Sequence, residues 1–373
     1  MRAASAAADF DRIREKVDAG GRLTQADGEL LFDPRVDLHA IGELANRVRE
    51  RKNGDVAWYN INAHLNPTNV CIYRCPLCAY SCDAGDAKAF LMSREDRLAR
   101  GREAADAGAT ELHIVGGIHP DKSLAWYVEI LRDLKTAFPR LHLKAWTAAE
   151  IAWLASLSGR SHEEVLSEMI EAGLGSLPGG GAEIFHPEVR TRIAPRKANA
   201  ETWLAVHRAA HRLGLRSNAT MLYGHVETAM HCVDHLLRLR ELQDETGGFQ
   251  AFIPLAFHPA GTQFAHLERP SGLLDLRVLA ISRLVLDNFD HVKAYWISLG
   301  VGTAQTALAY GADDLDGTVR QERIHHDAGA TSPEILSVEQ LCRLIREAGR
   351  KPVERDTLYR PVIRDDHCIS NRA

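Results

Sequence analysis

Short apolar runs alternate with amphipathic stretches along most of the chain, from residue 57 onward. Runs in which apolar and polar residues alternate predict β-strands, and stretches in which apolar residues recur every three or four positions predict helices. Strands are predicted at 57–64, 110–116, 141–147, 174–178, 215–222, 249–256 and 292–298. Helices are predicted near 94–107, 123–137, 148–157, 162–172, 200–213, 227–246 and 272–289. Pro254 weakens the sixth strand or places it at an irregular edge.

The regular alternation of strand and helix predicts the fold class. Repeated β-then-α units, spaced by roughly 30 residues, predict a parallel sheet with helices outside it. Seven such units are predicted, or eight if residues 311–314 form the last strand. That number favours a closed or nearly closed barrel over an open, doubly wound sheet. We therefore predict an α/β protein with a TIM-like (β/α) barrel of six to eight strands.

The two ends of the chain carry additional helical patterns. Helix-spaced apolar residues occur through 7–50, and one further helix is predicted at 337–348. No change of composition and no Ser/Gly-rich linker divides the chain. The predicted organisation is a helical N-terminal extension, a barrel core and a helical C-terminal tail packed on the barrel, at 1–55, 56–318 and 319–373 respectively.

The composition limits the partners and the cellular setting. The chain has 373 residues and a net charge of -5, which disfavours nucleic acid or an anionic membrane as the main partner. No apolar run approaches the roughly 18 residues of a membrane helix, and Asp9 and Asp11 interrupt any signal-peptide core. We expect a cytoplasmic protein, in which clustered thiols are more often metal ligands or catalysts than disulfides.

Three of the seven cysteines lie together on the loop after the first predicted strand. Cys71, Cys75 and Cys78 have the spacing C-x3-C-x2-C, whereas zinc sites usually pair two such knuckles or add histidine at short spacing. Three thiolates suit a cubane iron–sulfur cluster whose fourth iron is free to bind and reduce an incoming molecule. Cys82 extends the run to four, so the cluster of an electron carrier stays open as an alternative. A structural zinc module is a second alternative.

Glycines, histidines and carboxylates recur where the predicted strands end. In (β/α) barrels the active site lies at the carboxyl ends of the strands, so these residues are candidates for a shared site. Each type has a structural alternative, because glycines form turns, glutamates favour helix N-termini and histidines also serve structural roles. The triple glycine 179–181 lacks the Lys-Ser/Thr of a phosphate loop. The candidates are Gly116, Gly117, His119, Glu150, Glu183, Gly224, His225, Glu227 and His258.

The cysteine spacing, on a loop after the first barrel strand, resembles the radical S-adenosylmethionine superfamily. The resemblance implies that Cys71, Cys75 and Cys78 hold one [4Fe-4S] cluster, whose open iron chelates the methionine part of S-adenosylmethionine. Reductive cleavage then gives methionine and a 5′-deoxyadenosyl radical. Leu77 stands where the superfamily often has an aromatic residue, which is a mild departure. The implied contacts with S-adenosylmethionine are Leu77, Gly116, Gly117, Glu150, Gly224 and Glu227.

Longer motifs resemble one family within this superfamily, the aminofutalosine synthases of the futalosine route to menaquinone. The similarity runs from about residue 36 to 360. The motifs include His64-x-Asn66-Pro-Thr-Asn69, His113-Ile-Val-Gly-Gly-x-His119-Pro120, Asn218-Ala-Thr-Met-Leu-Tyr-Gly-His225 and Phe252-Ile-Pro-Leu-Ala-Phe-His258-Pro259. Cys82 does not belong to the family pattern.

The resemblance also implies a reaction and its partners. The radical adds to the enol-ether double bond of 3-[(1-carboxyvinyl)oxy]benzoate, and rearrangement with loss of bicarbonate gives 6-amino-6-deoxyfutalosine. S-adenosylmethionine is then a co-substrate, and an external one-electron reductant such as flavodoxin or ferredoxin is required. A dehypoxanthine futalosine cyclase, which uses the radical to abstract hydrogen, stays open as the alternative enzyme. The substrate-binding candidates are His64, His119, Glu183, His225 and His258.

Overall fold

The computed structural model describes residues 2–364, with side chains from residue 8 onward. Residue 1 of the predicted N-terminal extension and residues 365–373 of the predicted tail lie outside the described residues. The strands are β1 Val56–Asn60, β2 Asn62–Leu65, β3 Glu111–Ile114, β4 His142–Ala145, β5 Leu174–Leu177, β6 Arg216–Tyr223, β7 Phe249–Ala256, β8 His291–Val292, β9 Asp314–Gly317 and β10 Lys351–Glu354. The helices are α1 Arg2–Asp18, α2 Gln25–Phe32, α3 Leu38–Asn53, α4 Arg94–Asp106, α5 Leu124–Ala137, α6 Ala148–Ser158, α7 His162–Glu171, α8 Pro187–Ile193, α9 Ala200–Arg212, α10 Ala229–Thr246, α11 Gly272–Val285, α12 Trp296–Leu299, α13 Val301–Ala307, α14 Ile324–Asp327 and α15 Val338–Glu347.

Seven parallel strands form the main sheet, in the order β2-β3-β4-β5-β6-β7-β8. Parallel neighbours need a crossover connection, and helices such as α5, α9 and α10 supply it. Their apolar faces cover the sheet, whose own residues Ile114, Leu143 and Phe252 are fully buried. This arrangement confirms the predicted α/β class and the TIM-like sheet.

Several helices begin at a side chain that caps the first turn. The side chains of Ser93, Thr147 and Ser161 each accept a hydrogen bond from the backbone N–H three residues later. The carboxylate of the acidic residue at that later position accepts a hydrogen bond from the backbone N–H of the capping residue. These capping boxes satisfy N–H groups that the first helical turn leaves unpaired. They place the start of α6, and therefore Glu150, directly after β4.

The curled main sheet is bridged by the segment 314–320. On one side the N–H of Ala294 donates to the carbonyl oxygen of Asp314 at 2.8 Å, and on the other the N–H of His64 donates to that of Arg320 at 2.8 Å. The last strand, which the sequence places at 311–314, shares only Asp314 with β9, and β9 belongs to a separate three-stranded sheet. The segment 314–320 nevertheless spans the gap between β8 and β2.

The first predicted strand, 57–64, is wrong as a single element. Its first half is β1, which pairs with β9 and β10 in a separate three-stranded sheet, and its second half is β2, which pairs with β3 in the main sheet. The break falls at Ile61. The cause is tertiary, because β1 finds its partners among residues more than 250 positions away.

The last predicted strand, 292–298, is also wrong over most of its length. The structure has only the two-residue strand β8, and Trp296–Leu299 forms the short helix α12. Both the N–H of Ser298 and the N–H of Leu299 donate to the carbonyl oxygen of Tyr295. A short apolar run fits a buried strand and a buried helix equally well, so periodicity did not separate them.

Pro254 lies inside β7, an interior strand of the sheet. Strand β7 pairs with β8 only at Ala251 and Phe252, whereas its pairing with β6 continues to Ala256. Pro254 therefore lies beyond the part that β8 covers, where the strand has a free edge. A proline without an N–H is tolerated at such a position.

The two ends of the described chain pack on the barrel region. Helix α3 lies against α11, and β10 from the tail pairs with β1, so the tail contains a strand as well as α15. The domain limits at residues 55/56 and 318/319 stay a prediction. Within residues 2–364, no helix is both long enough and apolar enough to cross a membrane.

Candidate active site

The carboxyl ends of the main-sheet strands surround a large cavity. Its empty space, including the open mouth, is about 1650 Å³. Residues from nearly every strand-end loop line it, as expected for a (β/α) barrel. The sequence-predicted residues among the lining are His64, Cys71, Cys75, Leu77, Cys78, Gly116, Gly117, Glu150, Glu183 and His258.

Four predicted residues, His119, Gly224, His225 and Glu227, are not among the described residues that line this cavity. The Glu227 carboxylate accepts hydrogen bonds from the backbone N–H groups of Gly224 and His225, the latter at 2.9 Å. Gly224 has φ +87°, a conformation that favours glycine. The His225 ring packs edge-on against Phe257, a lining residue, at 5.7 Å. Gly224 and Glu227 thus shape the turn after β6 behind the cavity wall.

The cysteine loop is closed by its own backbone. The N–H of Cys71 donates to the carbonyl oxygen of Cys82 at 3.1 Å, and the N–H of Cys82 donates to that of Asn69 at 3.0 Å. Inside this closure the N–H of Cys78 bonds to the carbonyl oxygen of Cys75 at 2.9 Å. The loop therefore holds its three motif cysteines on one short turn at the cavity wall.

The donor set fits a cluster better than a single metal ion. Cys71, Cys75 and Cys78 are free thiols that line one cavity. Among the described residues they do not form a group whose ligand atoms all lie within 4.8 Å of one another, whereas thiolates on one tetrahedral zinc lie roughly 3.8 Å apart. Burial raises the pKa of Cys75 to about 11, and the nearby Lys197 ammonium opposes that rise.

Cys82 has a different environment from the three motif cysteines. Its side chain is fully buried, it is not among the described lining residues, and burial raises its pKa. Its backbone closes the cysteine loop, as described above. This position disfavours Cys82 as a fourth ligand of a four-cysteine cluster.

The glycine pair Gly116–Gly117 packs tightly on the cysteine loop. A Cβ at Gly117 would lie 2.2 Å from the carbonyl oxygen of Val70, so only glycine fits. The N–H of Gly117 donates to the carbonyl oxygen of Thr68 at 2.8 Å, and the N–H of Gly116 donates to Glu150 at 3.4 Å. Both N–H groups of the pair are therefore used within the protein.

Glu150 connects the glycine pair to helix α6. Its carboxylate accepts from the N–H of Thr147 at 2.6 Å as well as from Gly116. Burial raises its pKa to about 7, against the effect of these hydrogen bonds. A carboxyl group that titrates near neutral pH thus lies in the cavity wall.

Lys197 is a cavity residue that sequence reasoning missed. Its ammonium group lies 2.5 Å from the Glu183 carboxylate. Burial alone would lower the pKa of Lys197, but Glu183 and Cys75 raise it above its ordinary value. Burial alone would raise the pKa of Glu183, and Lys197 lowers it. No local signal marks Lys197, which follows Arg196 in a polar stretch after α8.

A second group of polar residues lies inside the barrel. Lys144 on β4 forms an ion pair of 2.5 Å with Glu111 on β3, and the rings of His64 and His113 stack at 4.7 Å. Burial lowers the pKa of both histidines, which keeps them neutral at pH 7. The sequence contains a signal for this polar group, because parallel strands that are covered on both faces are usually apolar throughout. Glu111, His113 and Lys144 interrupt that pattern.

The loop after β9 adds a further missed group to the cavity wall. Glu322 accepts from the backbone N–H of His325 at 3.0 Å and pairs with His326 at 3.0 Å. The hydrogen bond to Glu322 raises the pKa of His326 to about 9. His258 faces the same side, and its Nε2 lies 2.8 Å from the Ser298 carbonyl oxygen. Burial lowers the pKa of His258 to about 4, so its ring is neutral.

Comparison with known proteins identifies two matching families. Residues 65–239 match the radical SAM superfamily, and residues 246–367 match the CofH/MqnC C-terminal region. Aminodeoxyfutalosine synthase of Thermus thermophilus is 47% identical over 94% of this chain and 95% of its own. The 5-amino-6-(D-ribitylamino)uracil–L-tyrosine 4-hydroxyphenyl transferase of Methanopyrus kandleri is 40% identical over 93% of this chain and 94% of its own.

A solved structure shares the fold. Methylornithine synthase superposes with a TM-score of 0.73 and covers 91% of this chain and 97% of its own. The two sequences are 17% identical, so this likeness concerns the fold alone.

Proposed function

The chain belongs to the radical S-adenosylmethionine superfamily, and from that premise we propose that it is an aminodeoxyfutalosine synthase. In this reaction the 5′-deoxyadenosyl radical adds to the enol ether of 3-[(1-carboxyvinyl)oxy]benzoate, and 6-amino-6-deoxyfutalosine is formed in menaquinone biosynthesis. The observation that carries the proposal is the 47% identity to an aminodeoxyfutalosine synthase over 94% of the chain.

The proposed reaction balances without net oxidation. One electron cleaves S-adenosylmethionine into methionine and the radical, which forms a carbon–carbon bond with the enol ether. After rearrangement the carboxylate leaves as carbon dioxide, which water converts to bicarbonate, and loss of one electron and one proton gives the product. The electron used for cleavage is thus returned. A one-electron donor such as flavodoxin or ferredoxin is needed to start turnover.

Cys71, Cys75 and Cys78 are the residues that would hold the [4Fe-4S] cluster which superfamily membership implies. When bound, that cluster supplies the electron that cleaves S-adenosylmethionine. Lys197 contributes a positive charge beside these thiolates, and Glu183 holds Lys197 in place at 2.5 Å. Leu77, which follows Pro76 in the same loop, lines the cavity next to them.

The glycine pair and Glu150 are proposed to bind the methionine part of S-adenosylmethionine. The N–H groups of Gly116 and Gly117 are used within the protein, so their carbonyl groups are the backbone groups proposed to accept from the ligand ammonium. Gly224 and Glu227 are proposed to act indirectly, since they shape the turn after β6 that borders the adenine side. His119 and His225 are not among the described residues that line the cavity, so we propose that they act by positioning residues that do.

The substrate carries two carboxylates, so its site needs cations or N–H donors. Lys144 is a lysine of the barrel interior that lines the cavity, and the neutral ring of His64 can donate one N–H. The single N–H of neutral His258 is used by the Ser298 carbonyl oxygen at 2.8 Å, so His258 can offer a ligand only an acceptor nitrogen. We assign the substrate to these residues of the cavity lining. Such a placement would hold the radical carbon and the double bond together and exclude water.

The deciding experiment is turnover of the anaerobically reconstituted full chain. With reductant, S-adenosylmethionine and the enol-ether benzoate, mass spectrometry should find a nucleoside that contains both the adenosyl group and the benzoate. Release of 5′-deoxyadenosine in amounts equal to the methionine formed, without such a nucleoside, would contradict the synthase. Release of free 5′-deoxyadenosine is the result expected of a cyclase when it acts on its own substrate.

A second candidate function follows from the 40% identity to the Methanopyrus kandleri enzyme, whose name describes 4-hydroxyphenyl transfer from L-tyrosine to 5-amino-6-(D-ribitylamino)uracil. The same reconstituted protein, given these two compounds in place of the enol-ether benzoate, tests it. We expect no coupled product, because the identity to the synthase is higher.

A further inference from the structure

We propose that His186, Glu188 and His231 form a binding site for a divalent cation of the zinc type, outside the cavity. One ligand atom from each residue lies within 4.8 Å of the other two. His231 Nε2 is 4.0 Å from a Glu188 oxygen, and the two imidazole rings lie 4.4 Å apart. Two histidines and one glutamate are a recurring ligand set for zinc, which leaves one position for water.

The two histidines have unused nitrogens that point to a ligand. His231 is 7% exposed, and neither its Nε2 nor Nδ1 of His186 has a hydrogen-bond partner although both atoms are buried. A buried polar atom without a partner costs about 1–3 kcal/mol. A bound cation would satisfy both nitrogens at once. The exposed Glu188 side chain needs a shift of less than about 1 Å to reach the ligand spacing of roughly 3.3 Å.

The tautomer of His231 can change without loss or gain of a proton. In the structure its Nδ1 accepts the backbone N–H of Thr228 at 3.1 Å, so Nε2 carries the ring proton. When a cation takes Nε2, the proton moves to Nδ1 and is donated to Thr228 Oγ1, which lies 3.3 Å away. Thr228 is exposed, so water can accept its backbone N–H. A hydrogen-bond acceptor behind a metal-bound histidine fixes its tautomer and the orientation of its ring.

The charge balance gives Glu188 a defined role. His186 is the N-cap of α8, and His231 lies in the first turn of α10. The positive ends of helix dipoles disfavour a cation, so the site depends on the Glu188 carboxylate. Loss of that charge should therefore weaken cation binding at least as much as loss of one histidine.

A cation here would connect two loops that border the cavity. His186 lies three residues after Glu183 on the segment after β5, and His231 lies four residues after Glu227 on the segment after β6. The bound ion would link these segments on the outer side. This inference concerns binding and is independent of the proposed reaction.

The test is calorimetric titration of Zn²⁺ into the cluster-loaded, otherwise zinc-free full chain under anaerobic conditions. Cluster loading occupies the cysteines that would compete for zinc. We expect one equivalent to bind, and Glu188→Gln and His186→Ala should each weaken binding at least tenfold. Glu163→Gln is the matched control, because Glu163 also follows a histidine in the exposed first turn of a helix.

The thermal midpoint without zinc shows whether each variant is folded, and Glu188→Gln should match the wild type there because its side chain is exposed. With Zn²⁺ at a concentration that just saturates the wild type, the midpoint should rise for the wild type and for Glu163→Gln, and should rise less for Glu188→Gln and His186→Ala. Absence of zinc binding to the wild type would overturn the proposal. So would equal binding by the wild type, Glu188→Gln and His186→Ala, which would place the zinc elsewhere.

Discussion

Two lysine–glutamate ion pairs contribute a lysine to the same cavity, and both have an N–O distance of 2.5 Å. The Lys197–Glu183 pair lies beside Cys75, with side chains 20% and 11% exposed. The Lys144–Glu111 pair joins neighbouring strands inside the barrel, with side chains 3% and 0% exposed. The two pairs therefore have the same chemistry and length but different access to solvent and ligands.

The difference in burial changes how strongly each lysine charge is tied to the stability of the fold. A fully buried pair loses the hydration of both charges, so removal of one partner leaves the other uncompensated. Lys144 is thus needed first of all to neutralise Glu111. Lys197 lies at the more open pair, and its charge acts on the cysteines as well as on Glu183. We expect substitutions of the Lys197–Glu183 pair to change activity with little loss of stability, and substitutions of Lys144 to lower stability as well as substrate binding.

The largest effect is expected on the cysteine side. Cys75→Ser should remove a cluster ligand and lower turnover at least about 10⁴-fold, or about 5 kcal/mol in the activation free energy. Iron and sulfide analysis of the anaerobically purified protein checks the cause. Cys82→Ala is the control, since it should keep the cluster and cost about 1 kcal/mol in unfolding free energy for a small void. Loss of the cluster in Cys82→Ala would instead favour a four-cysteine centre.

On the barrel side, Lys144→Met should lower the free energy of unfolding by about 4 kcal/mol, because Glu111 is left buried and unpaired. Denaturant unfolding measures the change. The double variant Lys144→Met/Glu111→Gln removes both charges and should recover most of that loss. A double variant as unstable as the single one would show that the pair is not the source of the effect.

A smaller effect is expected at the more open pair. In Glu183→Gln, burial would lower the pKa of Lys197, so Lys197 would lose its proton as pH rises. Lys197 lies beside the cysteines proposed to hold the cluster on which S-adenosylmethionine binds, so loss of its charge should weaken that binding. The KM for S-adenosylmethionine should increase about tenfold, or about 1.4 kcal/mol, and should increase further between pH 7 and 9. The wild type should show no such rise, because Glu183 keeps Lys197 charged. Glu171→Gln, at the exposed end of α7, is the matched control. A pH-independent KM in Glu183→Gln would contradict the role given to the Lys197 charge.

The smallest effect concerns His326, which pairs with the cavity-lining residue Glu322. The hydrogen bond with Glu322 raises the pKa of His326 to about 9, above its ordinary value of about 6.5. The stabilisation is therefore complete below pH 6.5 and is lost as pH rises to 9. Partial exposure limits it to about 1 kcal/mol. His326→Gln should flatten the dependence of unfolding free energy on pH in this range, whereas exposed His266→Gln should leave it unchanged.

Local patterns predicted much of the fold and part of the site. The alternation of strands and helices predicted the barrel, and the C-x3-C-x2-C spacing placed three thiols on a strand-end loop. Gly117 and Glu150 were also found from position alone, and the structure brings both to the cavity. Lys197 was missed, because its importance comes from Glu183 and Cys75, which lie 14 and 122 positions earlier in the chain.

The sequence by itself determined the order of the elements, the cysteine motif and the side of the barrel where chemistry is expected. Each of these depends on spacing within a few residues, or on the regular repeat of one unit. Tertiary structure alone decided that residues 57–64 divide between two sheets, that Trp296–Leu299 is helical, and that the Cys82 side chain is buried and is not among the described residues that line the cavity. It also decided which lysine is buried with which glutamate. The physical reason is that strand partners, burial and the pKa of a charged group depend on residues that are distant in sequence.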